Sequence, residues 1–185
     1  MKRRACILYG SPHENGNTFK LLNYFMKFLP DFSVSWVNAY KENIRACVDC
    51  GVCKGYKRCV YRDMDSINNL LNNTELYIIA SPIYNASFPA PLKSIFDRLQ
   101  PYYYSRKEIL TSKSAVLLMS QGSGNVDYDD VIAKQIKPII RILGAKLSGI
   151  LTLKDTDNPN LDIDKFYIKS ENKIGEIISK INNKT

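Results

Sequence analysis

No apolar run in the 185-residue chain approaches the length needed to cross a bilayer. The short apolar segment 5–9, behind Lys2, Arg3 and Arg4, stops before it reaches the length of a signal-peptide core. Internal repeats, low-complexity tracts and linker-like stretches are missing too. These absences lead us to expect a single domain over 1–185, a cytoplasmic location and no membrane partner. In that compartment the five cysteines are expected as ligands or free thiols rather than disulfides. Nucleic-acid motifs are also lacking. The formal charge of +8 is spread over lysines interleaved with Asp and Glu, no helix carries a continuous basic face, and no nucleic-acid partner is expected.

What the first loop lacks narrows its ligand. Residues 10–18, Gly-Ser-Pro-His-Glu-Asn-Gly-Asn-Thr, lie between the strand-like segment 3–9 and the helix-like segment 16–29. A nucleoside-triphosphate loop needs a lysine after its second glycine, where Asn17 stands here, and the Gly-x-Gly-x-x-Gly fingerprint of dinucleotide sites is absent. What remains is a helix start with free N–H groups, two glycines, and neutral donors from Ser11, Asn15, Asn17 and Thr18. That set suits a monophosphate. An ordinary polar turn capping a helix is the competing reading. His13, the sole histidine, sits in the same loop, either near the phosphate or solvated, and no acid–base role falls to it.

Strand-like and helix-like segments then alternate. Phe19, Leu22, Phe25, Met26 and Leu29 share one helical face before Pro30, and 33–38 is β-rich. Residues 39–62 show neither period and read as a long loop, followed by a short helix over 63–71. The apolar run 76–80 reads as a buried strand, and Leu92, Ile95, Phe96 and Leu99 mark a helix from Pro91 to Pro101. A strand at 114–119, a helix over 128–143 kinked at Pro138, a strand at 146–153 and a helix near 162–181 complete the chain. Five strands joined by helical crossovers predict an α/β fold: a parallel sheet of order 2-1-3-4-5 with helices on both faces. Ligands in such sheets bind beyond the carboxyl ends of the strands, where 10–18, 81–88 and 120–125 would meet.

Gly10-Ser11-Pro12 followed by Gly16-Asn17-Thr18, then Pro82-Ile83-Tyr84, then Asp97-Arg98-Leu99 closing a helix, resemble the flavodoxin-like NADPH-dependent FMN reductase family. The resemblance implies a flavodoxin-like three-layer sandwich that binds FMN. The phosphate would lie among Ser11, His13, Asn15, Asn17 and Thr18, and the ring beside Pro82, Ile83, Tyr84 and Asn85. Ser120, Gly122 and Gly124 would flank the ring from the next loop. Core or interface packing is the competing reading for Tyr84, and a simple surface turn for the glycines.

The segment at about 40–63 holds Cys47, Cys50, Cys53 and Cys59, spaced x2, x2, x5. Zinc sites usually separate two ligand pairs by a dozen or more residues, whereas successive x2 spacings match the tight half of a ferredoxin motif. Cys59 would have to serve the same cluster, because no second motif exists. This pattern resembles the iron–sulfur flavoproteins, a branch of the same family. It implies a [4Fe–4S] cluster on the four cysteines, electron transfer, and a homodimer or homotetramer. NAD(P)H is a possible donor and a one-electron carrier such as ferredoxin a possible partner. Lys41, Arg45, Lys54, Lys57, Arg58 and Arg62 surround the cysteines and would steer an acidic carrier. Two other readings stay open: an NAD(P)H-dependent FMN or quinone reductase without a cluster, and a zinc module that binds nucleic acid. Cys6 reads as a buried small hydrophobe, and Tyr102, Tyr103 and Tyr104 as exposed residues suited to a subunit contact.

Overall fold

The computed structural model describes residues 2–105 and 113–183; the expected single-domain span of 1–185 also includes residues outside these. The chain runs β1 (Arg3–Tyr9), α1 (Asn17–Met26), β2 (Phe32–Asn38), α2 (Val52–Tyr56), α3 (Asp65–Asn72) and β3 (Leu76–Pro82). It continues with α4 (Ala90–Asp97), α5 (Gln100–Ser105), β4 (Lys113–Ser120), α6 (Asp129–Ile142), β5 (Ala145–Leu153) and α7 (Ile163–Asn182). The five strands pair in parallel in the order β2-β1-β3-β4-β5, as the alternation of segments predicts.

Period-two alternation in the central strands divides the core between the two faces of the sheet. Ile7, Ile78, Val116 and Leu118 meet Leu21, Leu22 and Phe25 of α1 and Ile174, Ile177 and Ile181 of α7. On the other face Leu8, Tyr77, Ile79 and Leu117 meet Ile67 and Leu71 of α3, Leu92, Ile95 and Phe96 of α4, and Ile132, Ile136 and Ile140 of α6. Strands flanked by helices on both faces are apolar throughout, which is why residues 76–80 show no polar alternation. Cys6 is fully buried in this core, and the low dielectric pushes its thiol up to about 12, so it behaves as the expected small hydrophobe.

Three expectations need correction. The long loop contains the five-residue helix α2, too short for periodicity to reveal. The chain is helical again beyond Pro101, in α5, because proline near a helix start gives up an N–H that has no partner there and presets φ. Tyr102 is not exposed: it packs against the core, and its hydroxyl donates to the Asn68 carbonyl at 3.1 Å. Of the three consecutive tyrosines, Tyr103 is the exposed one.

Candidate functional site

Because β1, β3 and β4 are neighbours and parallel, the loops leaving their carboxyl ends are drawn together. The Gly10 N–H donates to the Ala80 carbonyl and the Ile83 N–H to the Ser120 carbonyl, each at 2.8 Å. The buried Thr18 and Ser120 hydroxyls are 2.7 Å apart, so a side-chain bond ties the start of α1 to the end of β4. Gly10 is required by this crowding, since a Cβ there would lie 2.6 Å from Leu92 Cδ2 and 2.9 Å from Ser81 Oγ.

The start of α1 is open. Gly16 occupies the N-cap without a capping side chain, and the first turn carries no acidic residue. Backbone N–H groups that lack an intrahelical partner there, together with the positive end of the helix dipole, suit an anion. The preceding loop folds on itself: the Tyr9 hydroxyl donates to the His13 carbonyl at 2.6 Å and the His13 N–H donates to Ser11 Oγ at 3.2 Å. Ser11 is buried, while His13 and Asn15 lie exposed and Asn17 half-buried at the rim. Glu14 pairs with Lys41, which holds its carboxyl below the usual carboxylate range.

After β3, Tyr84 and Ser87 exchange backbone hydrogen bonds of 2.9 Å around Asn85 and Ala86, whose φ angles are 51° and 59°. Positive φ at both central residues makes this a type I′ turn. Gln135 of α6 holds it from outside: it accepts from Ser87 Oγ at 2.9 Å and donates to the Ala86 carbonyl at 3.0 Å. Tyr84 is 43% exposed, so its ring is not part of the core. Pro82 and Ile83 are half-buried, Ile83 against the core, and Asn85 is exposed. A Cβ at Gly124 would come within 3.1 Å of the Asp155 Cβ, while at Gly122 it would meet only the carboxylate end of the exposed Asp157, which can turn away.

Cys47, Cys50, Cys53 and Cys59 line one pocket, together with Asp97 and Arg98 at the end of α4. Cys47 and Cys50 are exposed, Cys53 and Cys59 half-buried. Gly51, at φ 75°, turns the chain into α2 between the second and third thiols. Arg98, only 3% exposed, anchors the loop. Its Nη2 lies 2.5 Å and its Nη1 3.2 Å from the two Asp63 carboxylate oxygens, and it also donates to the carbonyls of Arg45 at 2.7 Å and Tyr61 at 3.3 Å. Burial opposes the Arg98 charge, but the hydrogen-bonded Asp63 carboxylate and the nearby Cys59 side chain outweigh it and raise the guanidinium above its ordinary value. Its Nε is buried without a partner among the described residues.

The sequence reading quoted Arg98 as part of a motif but assigned it no place in the cysteine site. The available signal was a cation directly beside the apolar stripe of Ile95, Phe96 and Leu99. The six cations that it did gather are partly committed. Lys41 pairs with Glu14 and Arg62 with Asp65, while Arg45 lies over Tyr61, Lys57 over Tyr104 and Arg58 over Tyr56.

Among the described residues, no three His, Cys, Asp or Glu side chains are gathered closely enough to hold a single metal ion. A four-iron cube takes one thiolate at each of four separated corners, so it does not need its thiols converged on one point. Four cysteines around one pocket, a buried cation beside one of them and an unpartnered guanidinium N–H fit such an anionic group.

The sequence pattern of the NADPH-dependent FMN reductase family matches residues 4–149. An iron–sulfur flavoprotein of Archaeoglobus fulgidus is 35% identical over 102 residues, 54% of this chain and 46% of the relative. The chain thus spans about half the length of that relative. An FMN-dependent NADH:quinone oxidoreductase of Clostridium perfringens is 31% identical over 179 residues, 85% of each protein. In overall shape the chain is similar to an NAD(P)H:quinone oxidoreductase from Methanothermobacter marburgensis, with a TM-score of 0.72 at 16% identity, covering 94% of this chain and 95% of that one. An FMN-dependent NADH-azoreductase of Bacillus anthracis, solved in complex with FMN, superposes with a TM-score of 0.67 at 16% identity over 98% of this chain and all of that one. The two solved structures share the flavodoxin-like fold, and the match over residues 4–149, most of the chain, establishes that it belongs to the NADPH-dependent FMN reductase family.

Proposed function

We propose that the protein is an FMN-dependent oxidoreductase that takes reducing equivalents from NAD(P)H and passes electrons between its flavin and a [4Fe–4S] cluster. The observation that carries this reading is the pairing of an uncapped, anion-seeking start of α1 with four cysteines around one pocket in the same chain. The N–H groups at the start of α1 would hold the FMN phosphate, with Ser11, Asn15, Asn17 and Thr18 as neutral donors and His13 at the rim. The type I′ turn at 84–87, held by Gln135, would keep Pro82, Ile83, Tyr84 and Asn85 in place against the ring, and Ser120, Gly122 and Gly124 would border its other side. Cys47, Cys50, Cys53 and Cys59 would hold the cluster. When bound, the flavin exchanges one or two electrons and the cluster one at a time, so together they join a hydride donor to a one-electron carrier.

Anaerobic purification followed by flavin release, iron and sulfide assay and EPR tests the reading directly. Stoichiometric FMN with four irons is expected; protein that binds neither after reconstitution would overturn it. A second reading, a quinone or FMN reductase without a cluster, draws on the similarity to NADH:quinone oxidoreductases. It predicts NAD(P)H oxidation that is undiminished in Cys50→Ser. An acidic one-electron carrier would meet Lys54, Lys57 and Arg58 on the cysteine loop, and its reduction rate should then fall as salt rises. A homodimer or homotetramer, placing Tyr103 at a subunit contact, should show by sedimentation.

A further inference from the structure

Among the described residues, Arg98 is the buried charge in the lining of the cysteine pocket. Of the charged side chains lining the pocket, Asp49 and Lys54 belong to the surface loop and Asp97 pairs with Lys93 at 2.5 Å. Arg98, by contrast, is buried, and its counter-ion Asp63 is not among the lining residues. The Arg98 guanidinium thus joins Asp63, outside the lining, to the pocket that Cys59 and the other three thiols share. Its fork is spent on Asp63 and on the carbonyls of Arg45 and Tyr61, which leaves the Nε N–H as a buried donor with nothing to bond among the described residues.

We propose that Arg98 is the positioning residue that tunes the cysteine-held cluster, its buried guanidinium in the wall of the cysteine pocket favouring the more negative, reduced state. The inference rests on the cluster reading above. A cubane with four thiolates is an anion that gains one further negative charge on reduction, with no ligand lost and no proton required, so a fixed buried cation beside one ligand stabilises the product more than the reactant. Hydrogen bonds to ligand sulfur act in the same direction. Asp63 opposes this effect, because its carboxylate draws part of the guanidinium's field away from the pocket.

The test is an anaerobic potentiometric titration followed by EPR, with dithionite as the electron source, on reconstituted wild-type protein, Arg98→Gln and Asp63→Asn. Arg98→Gln should shift the cluster potential to more negative values and Asp63→Asn to more positive ones. Opposite signs separate tuning from simple disruption, which would broaden or lose the signal in both variants. Arg98→Lys, which keeps the charge without the fork, should fall between wild type and Arg98→Gln, and it serves in place of Arg98→Gln if that variant does not fold. Equal potentials in iron-loaded wild type and variants would overturn the role of Arg98 and leave the cluster reading intact. Wild-type protein that takes up flavin but no iron would overturn the cluster reading and this proposal with it.

Discussion

Thr18 and Ser120, 102 positions apart in sequence, share a buried hydrogen bond of 2.7 Å. It joins the first helical turn to the last residue of a central strand, and so fixes the open helix start relative to the ring loops. Thr18→Ala and Ser120→Ala should each cost about 1 kcal/mol of stability, and the double variant little more than either single one. Urea unfolding of all four proteins checks the coupling; fully additive losses would count against the bond.

Asn17 is the first residue of α1, where no acidic side chain stands. Asn17→Asp should stabilise the flavin-free protein by about 0.5 kcal/mol through the helix dipole. The same carboxylate should weaken FMN binding by roughly tenfold or more, because it competes for the seat of a dianionic phosphate. Melting of the apoprotein and fluorescence titration with FMN check the opposite signs.

Gly10 faces Leu92, which is fully buried and cannot yield. Gly10→Ala should destabilise the fold by about 1–3 kcal/mol through overpacking and displace the loop that follows. Both losses should appear together, as a lower melting temperature and weaker flavin retention on gel filtration.

Asp63 is held below its ordinary value, first by the hydrogen bond from Arg98. A carboxyl depressed in the folded state contributes stability that is fully present above the ordinary carboxylate range and is lost as pH falls through the folded value. Wild type should therefore lose its advantage over Asp63→Asn on acidification through and below that range. At neutral pH, removing one partner of the buried pair should cost about 3 kcal/mol. Guanidinium unfolding at a series of pH values gives both quantities, and a gap independent of pH would contradict the assignment.

The order of the strands and the meeting of the three loops were legible because both follow from local periodicity plus the handedness of crossovers. Turn residues at 10–18, 81–88 and 120–125 then had to lie at one end of the sheet. The five residues of α2 were not legible, since a helix of barely more than one turn leaves no repeating stripe. Nor was the fork of Arg98 onto Asp63: 35 positions separate them, and nothing local says that the end of α4 faces the start of α3. Sequence alone offers room for a ligand as the reason for a glycine at 124, whereas Asp155, which only the packed chain brings alongside, is a second reason.

Helix α4 begins just beyond the type I′ turn and ends at Arg98 beside the cysteines. Its eight residues make a strut of about 12 Å, with Leu92, Ile95 and Phe96 locked into the sheet. The span between the turn and the thiols is thus set by the pitch of one short rod rather than by a flexible connection. A single residue inserted in that rod would rotate Arg98 by about 100° and lift it off Asp63, unfastening the loop at one end while leaving the turn at the other untouched.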